Sequence, residues 1–149
     1  MFLNIHSKGK YPSNELSNFA KHPFFFDVPI NSMEGFLQSL KTPNNQANIC
    51  QLVGKDAKEI GKGIRWEKYL YWNGRTYDRF SKEYRDLIEQ AYRAMLNNKG
   101  FKKALWDSRG KILIHTIGKC RRKSTVLTGW EFCSILMKLR KELTKDDIG

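Results

Sequence analysis

Residues 15–41 read ELSNFAKHPFFFDVPINSMEGFLQSLK and contain a loop, a predicted strand and a predicted helix around which the rest of the chain is organised. Over residues 24–30, apolar and other residues alternate with the period of two expected of a strand that buries one face. Ser32 can cap a helix that begins at Met33, and Glu34 would then lie near the positive end of its dipole. The segment therefore predicts one strand followed by one helix.

The predicted helix has two distinct faces. Its core stripe consists of the apolar residues at i, i+3, i+4 and i+7: Met33, Phe36, Leu37 and Leu40. Glu34, Gln38 and Lys41 form a neighbouring polar stripe, and the small residues Gly35 and Ser39 would let another backbone approach closely. A polar stripe is most often a solvated face. This one carries only one acid and one base, which favours a position between the core and a cleft.

Length and composition indicate one domain over residues 1–149, because 40% hydrophobic content in 149 residues suffices for a core without metals or disulfides. No apolar run is long enough to cross a bilayer, and the first ten residues lack the basic-then-apolar order of a secretory signal. We expect a cytoplasmic protein without membrane association. The sequence leaves its oligomeric state open.

The residues that could form disulfides or a metal site are few and scattered. They are Cys50, Cys120, Cys133, His6, His22 and His115. The cysteines are odd in number and form no C-x-x-C motif, and the histidines lack metal-ligand spacing. We expect reduced thiols, no metal and no cofactor. His115 lies in an apolar run, where a lone histidine is more often a core residue than a catalyst, so it is a second-rank candidate.

The charge balance favours anionic ligands. The chain has 27 Lys and Arg against 15 Asp and Glu, a net charge of +12, which suits phosphorylated nucleotides or nucleic acid. Basic residues cluster over 62–68, 99–103, 119–123 and 138–145, so no single helix stands out as a DNA-reading element. A solvated, colloidally stable surface is an equally good explanation of any one cluster.

The remaining elements are predicted from periodicity and caps. Strands are expected over 2–6 and 111–117, and helices over 47–53, 56–61, about 15 residues after Ser81, 101–106 and a last helix after Thr128. That last helix has a capping box formed by Thr128 and Glu131. We expect the tail from residue 144 to fray.

A segment rich in aromatic residues and arginines precedes the helix that follows Ser81. Its members are Arg65, Trp66, Tyr69, Tyr71, Trp72, Arg75, Tyr77 and Arg79. Large aromatic side chains are core residues more often than ligand platforms. Their interleaving with arginines raises the alternative that a ring stacks on a base while a guanidinium binds a phosphate.

Several motifs in this order resemble the NADAR superfamily, which is named for its proposed link to NAD and ADP-ribose. They are L-S-N-F, P-F, S-x-E-G-F-x-Q-x-x-K, W-x-G, D-R-x-S-x-E-Y, I-H-x-I-G-K and L-T-x-x-E-F-C-x-I-L-x-x-L-R. The resemblance covers most of the chain. It implies a compact, mainly helical α+β domain with a small number of short strands. It also implies an N-glycosidase acting on phosphorylated riboflavin intermediates or removing ADP-ribose from guanine bases. Around residues 106–110 and 118–121 the chain departs from the riboflavin-linked pattern, so the ADP-ribosyl reaction is favoured.

By position, the resemblance implies that Glu34 is the central acid, Lys41 the helix lysine, Asn18 the loop asparagine and Trp72 the mid-chain tryptophan. Cleavage of a ribosyl C–N bond passes through an oxocarbenium-like state, which a carboxylate can stabilise while it activates water. Lys41 or Arg79 could then offset negative charge on the leaving base.

The remaining expected roles concern the substrate. Trp72 would stack on a ring and Asn18 would hold a ribose hydroxyl or a phosphate, and the further substrate-binding candidates are Phe19, Gln38, Arg79 and His115. The competing class is a protein that binds ADP-ribose, NAD-derived metabolites or nucleic acid without turnover. An inward acid beside an anionic ligand would be a liability for such a binder, which favours the enzyme.

Overall fold

A computed structural model describes residues 1–149 and shows a mainly helical α+β fold, confirming the predicted fold class. The helices are α1 (Ser13–Leu16), α2 (Met33–Ser39), α3 (Gln46–Ile49), α4 (Gly54–Lys62), α5 (Lys82–Met95), α6 (Lys99–Asp107), α7 (Gly129–Glu142) and α8 (Lys145–Ile148). The strands are β1 (Phe2–Asn4), β2 (Phe24–Phe26), β3 (Val28–Ile30), β4 (Tyr69–Trp72), β5 (Arg75–Asp78) and β6 (Ile112–Ile114). A 3₁₀ turn covers Arg122–Ser124.

The strands form three separate pairs and no larger sheet. β1 runs parallel to β6, with Leu3 opposite Leu113, and so joins the first residues of the chain to the segment that follows α6. β2 with β3 and β4 with β5 are antiparallel hairpins. The core is therefore built mainly from helices: most of its buried residues come from α2, α5, α6 and α7, and β4 adds Leu70 and Trp72.

The single strand predicted over residues 24–30 is wrong, because the chain reverses at Asp27. Asp27 has φ 62, a left-handed conformation that Asp adopts more readily than most residues. Phe24 lies opposite Ile30 across the resulting hairpin, and both are buried. The alternation with a period of two was identified correctly, but it belongs to two short antiparallel strands, β2 and β3, that share one buried face.

The helix predicted from Met33 is confirmed, and it ends at Ser39, two residues earlier than expected. The Ser32 hydroxyl accepts a hydrogen bond from the Gly35 amide at 3.0 Å, and the predicted core stripe is buried. Gly35 permits close approach, because a Cβ there would lie 2.7 Å from the Leu52 carbonyl oxygen. This contact holds α2 against the chain between α3 and α4.

The helices predicted after Ser81 and Thr128 are also confirmed. The Ser81 hydroxyl accepts a hydrogen bond from the Tyr84 amide, and Thr128 and Glu131 form the expected capping box. The tail, for which fraying was predicted, is helical over Lys145–Ile148. The tail folds as α8, which Thr144 and Asp147 begin with a capping box of their own and which packs against α6.

No helix combines the length and the apolarity needed to cross a bilayer. The three cysteines are free, with Cys50 and Cys133 buried and Cys120 exposed.

Candidate functional site

A cleft of about 470 Å³ opens between α2, α4 and the chain on either side of the 3₁₀ turn. This volume lies in the range of about 300–1,000 Å³ that small-molecule sites occupy. Six of the eight predicted site residues line it: Asn18, Phe19, Glu34, Gln38, Lys41 and His115. The polar stripe of α2 thus borders a cleft and is not a solvated face.

Glu34 is the only acidic side chain that lines the cleft. It lies half-buried in the first turn of α2, where Gln38 Nε2 donates a hydrogen bond to Glu34 Oε2 at 2.5 Å. Burial raises the pKa of Glu34, and the Gln38 hydrogen bond and the charges of Lys58 and Lys41 oppose that rise. A carboxyl group with a raised pKa can accept and release a proton closer to neutral pH, as general acid–base chemistry requires.

The loop that carries Asn18 is fixed to the start of α2. The Glu34 amide donates to the Asn18 carbonyl oxygen at 3.0 Å. The Asn18 side-chain oxygen accepts from the Tyr92 hydroxyl at 2.7 Å. Its amide nitrogen makes no hydrogen bond within the chain and is available to donate to a ligand. Phe19, the next residue, lies under the ammonium group of Lys58, which is 5.9 Å from the ring centroid.

Four lysines line the same cleft: Lys41, Lys58, Lys62 and Lys119. Lys41 donates to the Gly61 carbonyl oxygen at 3.1 Å, and burial lowers its pKa while the negative charge of Glu34 opposes that change. The lysines come from the turn after α2, from α4 and from the segment after β6, so positive charge surrounds Glu34 on several sides. This arrangement suits a ligand with more than one negative charge.

His115 lies half-buried at the end of β6, and its ring lines the cleft. Its Nδ1 lies 2.8 Å from the Ile5 carbonyl oxygen, and its ring packs edge-on against Phe132 at 5.6 Å. The Ile5 carbonyl can accept only from a protonated Nδ1, so in the neutral ring Nε2 is an acceptor.

Trp72 does not line the cleft, contrary to prediction. Only 3% of it is exposed, its Nε1 donates to Asp27 Oδ2 at 2.7 Å, and its ring packs 4.8 Å from that of Phe36. Because Trp72 lies on the inward face of β4, it is a core residue on the other side of α2. Trp66 lines the cleft instead.

Arg79 does not line the cleft either, contrary to prediction. It is buried in an ion pair with Glu131, with nitrogen–oxygen distances of 2.6 and 3.1 Å, and its Nε donates to the Thr125 carbonyl oxygen at 2.8 Å. All three guanidinium nitrogens are therefore occupied. Arg79 anchors the start of α7 and cannot serve a ligand in the cleft.

The sequence analysis missed Lys58, Lys62, Trp66 and Lys119 as cleft residues. The first three recur at intervals of four along and just beyond α4, a spacing that places side chains on one helical face. This spacing is visible in the sequence. It predicts that the three side chains share one face, but it does not show that the face lines a cleft.

No group of three or more His, Cys, Asp or Glu side chains comes together in a way that would hold a metal ion. The side chains that line the cleft include one carboxylate, four lysines, the amides of Asn18 and Gln38, two histidines and aromatic rings.

The chain matches the family model described as bacteriophage protein GP30.3 over residues 10–141, and it belongs to that family. It is similar to a protein of Enterobacteria phage T4, described as an uncharacterised 17.1 kDa protein in the Gp30–rIII intergenic region. The two are 38% identical over 149 residues, covering 95% of this chain and 98% of the phage T4 protein.

Among solved structures, the fold is similar to that of the E. coli protein YbiA, with a TM-score of 0.63. The match covers 95% of this chain and 83% of YbiA at 17% sequence identity. The match shows a shared fold, which agrees with the mainly helical α+β class predicted from the sequence.

Proposed function

We propose that this protein is an N-glycosidase that hydrolyses a ribosyl C–N bond, with removal of ADP-ribose from a modified guanine as the favoured reaction. The observation that carries the proposal is Glu34, a half-buried carboxyl group held by Gln38 in a cleft lined by four lysines. The NADAR-type fold supports it, since the resemblance to that superfamily implies the same class of reaction.

The proposed step places Glu34 beside the ribose C1′ atom. As the C–N bond breaks, its electron pair leaves with the base and positive charge develops on the sugar, which the ionised carboxylate stabilises. A water molecule adds its oxygen to C1′, and Glu34 accepts the proton that the water loses. The leaving guanine takes up one proton from solvent, which balances the proton that Glu34 accepts and later returns to solvent, so the products are ADP-ribose with a free C1′ hydroxyl and the unmodified guanine group.

The other cleft residues are assigned to binding and to the leaving group. Lys41 follows the end of α2, interacts with Glu34 through its charge, and would offset the negative charge that develops on the base. Lys58, Lys62 and Lys119 would bind the phosphates, and Trp66 offers a ring for stacking. The free amide of Asn18 can donate to a ribose hydroxyl oxygen.

The test is incubation of the purified protein with a panel of candidate substrates, followed by chromatography and mass spectrometry of the products. The panel contains ADP-ribosylated guanosine, an oligonucleotide with ADP-ribosylated guanine, and ribosylpyrimidine phosphates of the riboflavin type. We expect free ADP-ribose from the first two, together with guanosine from the first and the unmodified oligonucleotide from the second. Measurable binding with every substrate recovered intact would overturn the proposal in favour of a non-catalytic binding protein.

A further inference from the structure

The hydroxyl group of Tyr92 links the core of the protein to the wall of the cleft. Tyr92 lies on α5, is fully buried, and packs with its ring centroid 5.8 Å from that of Phe132. Its hydroxyl donates to Asn18 Oδ1 at 2.7 Å and makes no other hydrogen bond within the chain. Asn18 is half-buried and lines the cleft that contains Glu34. A core tyrosine therefore contacts a side chain that a ligand in the cleft can reach.

This hydrogen bond determines which end of the Asn18 amide faces away from the core. Burial raises the pKa of Tyr92 well above its ordinary value, the Asn18 hydrogen bond opposes the rise, and the negative charge of Glu34 adds to it. The phenol therefore keeps its proton and needs an acceptor. If the amide were turned round, its NH₂ group would face the hydroxyl, and the Tyr92 proton would be buried without a partner, which is unfavourable. Oδ1 accordingly faces Tyr92, while Nδ2 has no partner within the chain and is accessible to solvent.

The backbone of the loop determines which part of a ligand this amide can meet. The Asn18 carbonyl oxygen accepts from the Glu34 amide at 3.0 Å, and the Ser17 hydroxyl accepts from the Phe19 amide at 3.2 Å. Asn18 is thereby held beside the first turn of α2, where Glu34 lies. Since the proposed reaction places Glu34 at the ribose C1′ atom, that ribose is the part of the ligand beside the Asn18 amide.

We infer that Tyr92 is a positioning residue, which holds the Asn18 amide as a hydrogen-bond donor to a hydroxyl oxygen of the ribose beside Glu34. The inference deepens the proposed function and rests on it for the position of that ribose. A donor that is fixed before binding strengthens the binding of a ligand with an acceptor at this point, because no orientation has to be imposed on the amide. It gives nothing to a ligand without that ribose. The consequence is a preference for ADP-ribose over ADP, which has the same diphosphate but lacks the second ribose.

Calorimetric titration with ADP-ribose and with ADP tests the inference without requiring turnover. Tyr92→Phe keeps the ring and removes the hydroxyl, so the Asn18 amide loses its fixed orientation. We expect the affinity for ADP-ribose to fall by about three- to tenfold, the scale of one hydrogen bond, and the affinity for ADP to stay the same. A purely structural role of Tyr92 would weaken both ligands equally. The ratio of the two affinities is therefore the deciding quantity.

Tyr84→Phe is the matched control. Tyr84 lies on the same helix, is 1% exposed, and donates through its hydroxyl to the Val126 carbonyl oxygen at 2.6 Å. This variant also loses one buried hydrogen bond, so its melting temperature should fall like that of Tyr92→Phe. Its ratio of affinities should equal that of the wild type. Circular dichroism establishes that each variant is folded before the ratios are compared.

Asn18→Leu is a second test, which leaves the core tyrosine in place. It removes the amide and should lose the same preference for ADP-ribose. Adding Tyr92→Phe to it should cause no further loss, because the two residues act on the ligand through one contact. Losses that add in the double variant would contradict the inference.

The outcomes separate this inference from the proposed reaction. A wild-type ratio in Tyr92→Phe, or a wild-type protein that binds ADP-ribose no more tightly than ADP, would overturn the role of Tyr92. The expected ratios in every variant, with all ADP-ribosylated guanine substrates recovered intact, would overturn the N-glycosidase assignment and leave the role of Tyr92 standing.

Discussion

Gln38 Nε2 donates a hydrogen bond of 2.5 Å to Glu34 Oε2, while Gln38 Oε1 lies buried without any partner. An unpaired buried oxygen costs about 1–3 kcal/mol, so this orientation of the amide is unfavourable by itself. A carboxylate can only accept, and the orientation therefore matches the ionised form of Glu34. The Gln38 amide opposes the effect of burial, which raises the pKa of the same group.

Gln38→Met should identify Gln38 as a positioning residue. Methionine keeps the length of the side chain but cannot donate, so Glu34 loses its orientation and the interaction that favours its charge. We expect kcat to fall by about tenfold or more and the rising limb of the rate against pH to move to higher pH. The measurement is a pH profile of kcat and of kcat/KM. An unchanged profile with unchanged kcat would show that Gln38 has no part in positioning Glu34.

Gly61→Ala should disturb the same pair from the opposite side. A Cβ on Gly61 would overlap the end of the Gln38 side chain, which can rotate away more easily than the backbone can move. Activity should fall as in Gln38→Met. Stability should change little, because Ala favours a helix over Gly by about 1 kcal/mol and this gain offsets the cost of displacing the Gln38 side chain.

Gly63→Ala is the matched control for Gly61→Ala. A Cβ on Gly63 meets nothing closer than the Ile60 carbonyl oxygen at 3.6 Å, which is ordinary contact. This variant should keep wild-type activity and melting temperature. Equal activity in the two alanine variants would contradict the role given to the contact between Gly61 and Gln38.

Binding of ADP-ribose should weaken as salt rises, because the cleft lysines would act on its phosphates and screening weakens such contacts. Lys58→Gln and Lys119→Gln should each reduce affinity by about two- to fivefold, the range of exposed charge contacts. Lys141→Gln is the control, since Lys141 is exposed on α7, outside the cleft and free of any ion pair. Calorimetric titration at two salt concentrations measures both effects. An affinity for ADP-ribose that is the same at both salt concentrations would contradict this prediction and indicate that the cleft is built for an uncharged ligand.

The parts of this fold that follow from local signals could be predicted from the sequence. Ser32 and the Thr128–Glu131 box begin helices through contacts within four residues, and both were identified correctly. The reversal of the chain at Asp27 was not predicted, because residues alternate in the same way along one long strand and along the two strands of a hairpin. The fold class was predicted from the resemblance that the motifs carry, and the structure confirms it.

Helical spacing accounts for only part of the predicted site. It placed Glu34 and Gln38 of α2 together with Lys41, which follows the end of that helix, whereas Asn18, Phe19 and His115 reach the cleft from other segments. Trp72 and Trp66 come from the same aromatic segment, and which of them borders the cleft depends on how β4 packs against α2, which no local pattern encodes. Arg79 pairs with a residue 52 positions away, a contact that the sequence alone does not reveal.

Arg79→Met should lower stability and leave the chemistry intact. The substitution removes one member of a buried ion pair and leaves Glu131 without its partner, which costs roughly 3–5 kcal/mol. Arg75→Met, at an exposed position on β5, should cost far less. Thermal unfolding measures the difference, and activity per folded molecule should stay near the wild-type value. A loss of activity without a loss of stability would show that Arg79 takes part in the reaction and is not only a structural residue.

The pH dependence of this loss follows from Glu131. Burial tends to raise its pKa, but the hydrogen bonds from Arg79 and from the Thr128 amide hold the pKa below its ordinary value. A carboxyl group whose pKa is lower in the folded state stabilises the fold at pH values above its unfolded-state pKa. This stabilisation is lost as the pH falls through its folded-state pKa. The difference in melting temperature between wild type and Arg79→Met should therefore shrink in acid. A difference that grows in acid would contradict the pairing.

Glu34→Gln should abolish turnover while leaving the fold and ligand binding intact. Glutamine keeps the shape of the side chain but cannot accept a proton from water or offer charge to an oxocarbenium, so the rate should fall by orders of magnitude. Because burial raises the pKa of Glu34, its favourable contribution to stability exists only at low pH and is lost as pH rises through the folded value. At neutral pH the ionised carboxylate weakens the fold, and the neutral glutamine should melt at the same temperature or slightly higher. Single-turnover assays and thermal unfolding at pH values on both sides of the shifted pKa test the two effects together. Full hydrolysis by the variant, or a large fall in melting temperature with activity per folded molecule preserved, would exclude Glu34 as the catalytic group and favour a binding protein.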